Sequence, residues 1–310
     1  MIITVTPNPA YDVTYEVARL VVGEVHRVAH VHQRVGGKGI NVARVLDAVG
    51  EKVVAIALAD RAFVDEGRAE GFDIEMVDGL PSVRRTLVLH DADSTTSLWE
   101  PGHPASASAG DQLKRQVSAR LAGAAGLVVS GSLPPGIAGD LPAQLAVEAV
   151  SAGVPVVVDV DDEALRLAAK VPGVVLMPNG DELSRLAGAD CASLADVVVA
   201  AQAWVHAGVA GVIATLGAEG MVAVTREAAW AARLDQPLTG NPTGAGDAAA
   251  AGVIRGLVAR DSWPDLLRDA VAMSAAAVLA PVAGHVDVDV YDELRGRVAV
   301  DTLSIPRGIA

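Results

Sequence analysis

The sequence predicts an α/β fold: a mainly parallel, doubly wound sheet flanked by helices, with a small antiparallel β lid. Three observations predict it. Short β-branched runs alternate with longer helical patterns, which puts helices on both faces of a mostly parallel sheet. Several of these runs are apolar throughout, as strands buried on both faces are. Two further stretches, 11–35 and 83–99, alternate apolar and polar residues with period two, the pattern of strands with one exposed face.

In chain order, the candidate central strands are Ile2–Thr6, Val53–Leu58, Gly126–Ser130, Val154–Asp159, Val174–Met177 and Gly211–Leu216. Between the first two, Val42, Val45, Leu46 and Val49 recur on one helical face, and Gly50 is placed to end that helix. Arg85–His90 and Thr96–Trp99 supply the second lid segment. A lid strand with an exposed apolar face favours pairing with another subunit, so a homodimer through the lid is expected. Pro104–Gly110, rich in Ala, Ser and Gly, reads as the loop between the N-terminal part and the rest. Late in the chain, Ala250, Val253, Ile254 and Leu257 form another helical stripe. With no internal repeat and no low-complexity linker, residues 1–310 read as one domain carrying a lid.

Composition narrows the function classes. Of the 310 residues 51% are hydrophobic and only 3% aromatic, so the core is built from Val, Ala, Leu and Ile and disorder is excluded as the dominant state. A chain of this size buries ~75% of its unfolded surface without staples. Its 24 Lys and Arg against 38 Asp and Glu give a formal net charge of −14, the wrong sign for binding nucleic acid or an anionic membrane. Any phosphate handled by this chain must meet a local basic set. The lone Cys191 cannot make an intramolecular disulfide, which fits a reducing cytoplasm. Met1–Thr6 lacks the basic region of a signal peptide, and no apolar run reaches the ~18 residues of a membrane span, so the expected location is cytoplasmic. Asn241-Pro242-Thr243 is no glycosylation site, because its middle residue is Pro.

Two glycine-rich segments carry chemistry. In Val35-Gly36-Gly37-Lys38-Gly39-Ile40-Asn41, three glycines precede the helix that runs through Val42, so a ligand can approach the backbone at a helix N-terminus while Lys38 adds positive charge. It is not a P-loop, since Lys38 is followed by Gly39; a tight strand-to-helix turn with a solvated lysine is the plain alternative. In Asn241-Pro242-Thr243-Gly244-Ala245-Gly246-Asp247, glycines again open a helix, now with an acid in the first turn. Phosphoryl transfer needs an anion hole for the transferred group and a carboxylate to take the hydroxyl proton, and this segment offers both. Two plainer readings compete: Asp247 complementing the helix dipole, and a dinucleotide fingerprint, since the segment satisfies Gly-x-Gly-x-x-Ala. The fingerprint is poorly placed after Arg233–Pro237, which reads as no buried strand.

Together, Gly36–Arg44 and Asn241–Gly252 resemble the paired signatures of the ribokinase/PfkB carbohydrate kinase family. Thr4–Asp12, Gly23–Arg27 and Ser130–Gly136 are similar to its 1-phosphofructokinase/tagatose-6-phosphate kinase branch. The resemblance implies a ribokinase-like fold and ATP-dependent, Mg²⁺-assisted phosphorylation of a sugar phosphate. Fructose 1-phosphate is the expected acceptor; tagatose 6-phosphate, fructose 6-phosphate and an unphosphorylated sugar are alternatives. It implies that Asp247 is the base and that Gly244, Ala245 and Gly246 form the anion hole. Asp12, Gly37 and Asn41 then hold sugar hydroxyls, and Arg84 meets the substrate phosphate, with Lys38 and Arg27 as further candidates. On the nucleotide side it implies Asn179, Glu182, Thr215, Gly217, Gly220 and Thr243, with Glu182 organising Mg²⁺ indirectly.

Read without the family, Asn179 and Glu182 make a helix capping box, and Thr215–Gly220 is a turn between Val212–Thr215 and Met221–Thr225. The chain departs from the branch in several places. Met177 stands where a Lys is common before Pro-Asn, Thr86 and Ser97 replace other polar residues of the lid, and Leu58–Phe63 is short and charged where a Gly-Gly stretch is usual. His26, His30 and His32 lack a carboxylate at ligand spacing and read as surface residues, and the four Trp residues read as dispersed. Outside the kinase class, an NAD-binding oxidoreductase rests on the fingerprint match alone. A non-catalytic sugar-phosphate sensor rests on Met177 and the lid changes.

Overall fold

A computed structural model describes residues 1–28, 30–91 and 95–305. Position 29 of the first expected lid segment and positions 92–94 of the second lie outside the described residues. The first half of the chain runs β1 (Ile2–Thr6), β2 (Ala10–Glu16), β3 (His30–Gly36), α1 (Lys38–Ala48), β4 (Val53–Leu58), α2 (Arg61–Ala69), β5 (Ile74–Val77), β6 (Arg84–His90), β7 (Thr95–Trp99), α3 (Ala109–Leu121) and β8 (Gly126–Ser130). It continues through α4 (Leu141–Ser151), β9 (Val156–Asp159), α5 (Asp162–Ala168), β10 (Val175–Leu176), α6 (Gly180–Ala187), α7 (Leu194–Ala207), β11 (Gly211–Thr215), β12 (Met221–Val224) and β13 (Ala229–Leu234). The last elements are α8 (Ala245–Ala259), α9 (Trp263–Val278), α10 (Val288–Arg295) and β14 (Val298–Leu303).

Two sheets result. The large one has the order β14-β13-β12-β11-β10-β9-β8-β1-β4-β5. From β5 to β11 its strands are parallel, as helical crossovers between apolar strands require. All six expected central strands are present, three with the bounds read from sequence; β9 starts two residues later, β10 lacks one residue at each end and β11 ends one residue earlier. The other three strands, β12 to β14, pair antiparallel. The links from β11 to β12 and from β12 to β13 are too short for a crossover, so the chain turns back on itself.

Helices cover both faces. On one, Leu113, Leu145, Leu165 and Val198 pack against Ile3, Val129, Val158 and Val212. On the other, Val42, Leu46, Ile254 and Leu267 pack against Ile2, Val128, Val157 and Ile213. Successive residues of one strand, such as Ile2 and Ile3, therefore enter different cores. This explains the apolar runs that revealed the strands.

The second sheet is the lid, in the order β3-β2-β6-β7. Its outer pairs are antiparallel, but β2 and β6 pair parallel, with Ala10 opposite Arg84 and Asp12 opposite Thr86. The expected small antiparallel lid is present, with one parallel pair at its centre because both inner strands leave the body in the same direction. The Trp residues are not all dispersed either: Trp230 on β13 stacks on Trp263 at the start of α9, ring centroids 6.4 Å apart. Among the described residues, no helix is long and apolar enough to cross a membrane.

Candidate active site

The C-terminal ends of β1, β8, β9 and β11 and the inner face of the lid enclose a cleft of about 820 Å³. This is where an open α/β sheet offers its binding crevice, and the volume is within the ~300–1,000 Å³ usual for small-molecule sites. Both glycine-rich segments reach it. Gly37 is the N-cap of α1, with φ 102°, and a side chain there would come within 2.9 Å of Pro9 Cα. The helix starts one residue later, at Lys38, earlier than the spacing suggested. Gly39 is therefore inside the helix, pressed against Val5 and Thr6 of β1 and not against the cleft. Gly244 is the N-cap of α8 in the left-handed region, φ 84°, and a side chain there would come within 2.9 Å of Ala283.

Asp247 sits in the first turn of α8 and is buried. Asn41 on α1 connects it to the lid: the Nδ2 group donates to Asp247 Oδ2 at 3.0 Å and to Asp12 Oδ2 at 3.2 Å. Thr86 Oγ1, opposite Asp12 in the lid, donates to Asp12 Oδ1 at 2.6 Å. Burial, helped by the negative charges of Asp159 and Asp12, pushes the Asp247 carboxyl up to about 7, while Lys38 and the Asn41 hydrogen bond pull the other way. A carboxyl poised near neutrality beside open helix N-terminal amides can accept a proton while those amides face an anion.

Lys38 is not the free cation that its sequence context suggests. Its Nζ donates to Asp159 Oδ1 at 2.9 Å and lies 3.7 Å from Asp161 Oδ1; Ser130 Oγ donates to Asp159 Oδ2 at 3.0 Å. Burial opposes the ammonium charge, but the surrounding carboxylates outweigh it and raise the lysine pKa. Arg84 lines the cleft from β6, where Nη1 donates to Glu100 O at 2.7 Å while its buried Nε has no protein partner. Burial lowers its pKa, a cost that a bound anion would relieve.

At the other end, Asn179 and Glu182 form the capping box of α6: Asn179 Oδ1 accepts from Glu182 N at 2.9 Å and Glu182 Oε2 accepts from Asn179 N at 2.8 Å. Both still line the cleft, and burial raises the Glu182 pKa. Among the described residues no three His, Cys, Asp or Glu side chains are grouped to hold a metal by themselves. A Mg²⁺ shared with a triphosphate needs only one or two carboxylates, and the carboxylates of Glu182 and Asp161, which line the cleft, are of the hard-oxygen kind that would fit it.

The structure therefore brings together Asp12, Gly37, Lys38, Asn41, Arg84, Asn179, Glu182, Thr215, Thr243, Gly244, Gly246 and Asp247. Four expected residues do not line the cleft. Arg27 lies exposed in the β2–β3 connection, and Gly217 and Gly220 form the turn between β11 and β12. Ala245 is turned into the helix start, its N–H donating to Pro242 O at 3.1 Å. Sequence reasoning missed Asp159, Asp161, Thr86 as the partner of Asp12, and Asn8, whose Nδ2 donates to Pro101 O and Ser132 Oγ, each at 3.1 Å. A carboxylate closing the otherwise apolar run Val156–Asp159 was the available signal.

Comparison with known proteins agrees with this geometry. Residues 6–288 match the model of the pfkB family of carbohydrate kinases. The Escherichia coli phosphofructokinase-2 solved in complex with substrates and products is 28% identical, with a TM-score of 0.86 over 95% of this chain and 98% of that one. A possible 1-phosphofructokinase from Thermotoga maritima superposes with a TM-score of 0.87 at 22% identity, over 98% and 100%. The Arabidopsis thaliana ribokinase complexed with ribose and ATP gives 0.71 at 20% identity, over 95% and 98%.

Proposed function

This chain belongs to the pfkB family of carbohydrate kinases, and on that premise we propose that it transfers the γ-phosphoryl group of ATP to a hydroxyl of a phosphorylated ketohexose, converting fructose 1-phosphate to fructose 1,6-bisphosphate. The observation that carries the reading is the Asn41 bridge. One amide joins the acid at the start of α8 to the acid of the lid, so a sugar held by Asp12 has its hydroxyls beside Asp247.

The mechanism follows from those positions. Asp12 and Asn41 orient the sugar, and Arg84 receives its phosphate with the bidentate geometry that guanidinium offers. Asp247 takes the proton of the attacking hydroxyl as the in-line transfer proceeds. The amides of Gly244 and Gly246, which line the cleft at the start of α8, stabilise the charge on the transferring group. Glu182 and Asp161 would be the residues to hold a Mg²⁺ ion, which would supply neutralisation of the triphosphate charge. Lys38, clamped by Asp159, keeps the floor of the cleft from being wholly anionic. The lid excludes water that would otherwise be phosphorylated. Pairing of two lids in a homodimer is part of the proposal. The exposed Val22, Val25, Val31 and Leu98 in and beside the lid support it, and a monomer mass by light scattering would refute it.

Fructose 6-phosphate is the second reading, favoured by the 28% identity to the E. coli phosphofructokinase-2. ADP release measured across fructose 1-phosphate, fructose 6-phosphate, tagatose 6-phosphate and free hexoses decides between them. Asp247→Ala should lower turnover on the preferred sugar at least ~10²-fold, the scale of a positioned base. Turnover near the unsubstituted level would remove Asp247 from the mechanism.

A further inference from the structure

The cationic side chain of Arg34, near the cleft, has no part in this mechanism. Arg34 lies on β3 directly opposite Asp12. Its Nη1 donates to the carbonyl of Ala283, 3.0 Å away, in the segment joining α9 to α10. That segment buttresses the α8 turn: Ala283 occupies the space left by the absent side chain of Gly244, and Gly284 lies against the side chain of Asn41. Asn41 in turn bonds both Asp247 and Asp12. The contacts form a closed circuit from the lid through Arg34, Ala283, Gly244 and Asp247 to Asn41 and back to Asp12.

The base of β3 is firm enough for this link to be directional. Glu70, just past α2, accepts from Val35 N at 2.9 Å and from Arg44 Nη2 at 2.5 Å, and the Arg44 guanidinium lies 4.6 Å from the centre of the Phe72 ring. Arg34 thus projects from an anchored strand end toward the one loop on which the Gly244 turn rests.

Resting on the kinase reading above, we infer that Arg34 is a positioning residue: it ties the amide turn at the start of α8 to the lid, so that phosphoryl transfer is efficient only when the lid is seated on a sugar. The lid would then do more than cover the site, because its seating also sets the turn that faces the migrating group.

The test uses two variants of the full chain. Arg34→Met keeps most of the volume and removes the donor; Arg34→Ala leaves room for an exogenous guanidinium ion. Both should lower kcat tenfold or more, with KM for the sugar phosphate and for Mg·ATP within threefold. Sugar-independent ADP release should become a larger fraction of total turnover. Millimolar guanidinium should restore part of kcat to Arg34→Ala and none to Arg34→Met. Amide hydrogen exchange in 241–247 and 281–286 should quicken in ligand-free Arg34→Met, a readout that does not depend on activity. Unchanged kcat in Arg34→Met, or unchanged exchange in both segments, would overturn the inference. An unsubstituted protein that releases no ADP with any sugar would instead defeat the kinase reading, and the exchange result would still decide the coupling.

Discussion

Replacing Asn41 with leucine removes a single hydrogen-bond donor that serves two carboxylates, and its effect can be worked through in advance. The Nδ2 group reaches Asp247 at 3.0 Å and Asp12 at 3.2 Å, and its bond to Asp247 favours the ionised form. A hydrogen bond to a charged group is worth about 1.5–3 kcal/mol. At about 1.36 kcal/mol per pH unit, losing it moves the ionisation of Asp247 upward by about 1–2 pH units from its present value of about 7. The base acts only when ionised, so activity rises with pH and the acid limb of kcat/KM marks the free-enzyme ionisation. At pH 7 the unsubstituted base is about half ionised and the Asn41→Leu base about 1–10%, a loss of about 5- to 50-fold from ionisation alone. By about pH 10 that part of the loss should vanish, leaving only the cost of the missing sugar contact. The assay is kcat/KM from ADP release between pH 5.5 and about 10. An acid limb that stays near its unsubstituted position, with activity lowered equally at every pH, would refute the electrostatic argument.

Two further predictions follow from the same geometry. Arg84→Ala should raise KM for phosphorylated sugars about 10- to 100-fold, the worth of a charge-assisted contact, while barely changing kinetics on free sugars; equal damage to both would exclude a phosphate-binding role. Asp247→Asn should stabilise the fold at high pH. The carboxyl ionises near 7 when folded and near 3.8 when unfolded, so the native state of the unsubstituted protein loses stability as pH rises from about 4 to 7. Calorimetry should therefore find the Asn variant melting roughly 3–6 °C higher at pH 8, the difference fading toward pH 4; equal melting at both would refute the burial cost.

How much of this was legible in the sequence differs from residue to residue. Asp247 could be found because glycines, an acid and an apolar stripe at helical spacing are local signals, and α8 begins at Ala245 as that pattern requires. The strands of the large sheet were legible because they are apolar on both faces. The lysine clamp was not, because Lys38, Ser130 and Asp159 meet only once α1, β8 and β9 are packed. Gly39 misled, since helix-to-strand contact and ligand approach demand the same residue. The β2–β6 pairing was invisible for a similar reason: alternation reveals that a strand has two unlike faces and nothing about the direction of its neighbour. Asn179 and Glu182 form the cap that their spacing predicts, and capping does not withdraw them from the cleft, which both line.

That same-direction pairing of β2 with β6 has a consequence for how the molecule is made. A contiguous hairpin closes on its own, but these partners are separated in sequence by β3, α1, β4, α2 and β5, so their registry costs the entropy of closing a long loop. The active cleft should be among the last features to mature in a refolding chain, after α1 and β4 have docked on β1. A circular permutant opened between β5 and β6 would then reach the folded body beneath the lid as readily as the parent and gain catalytic competence more slowly.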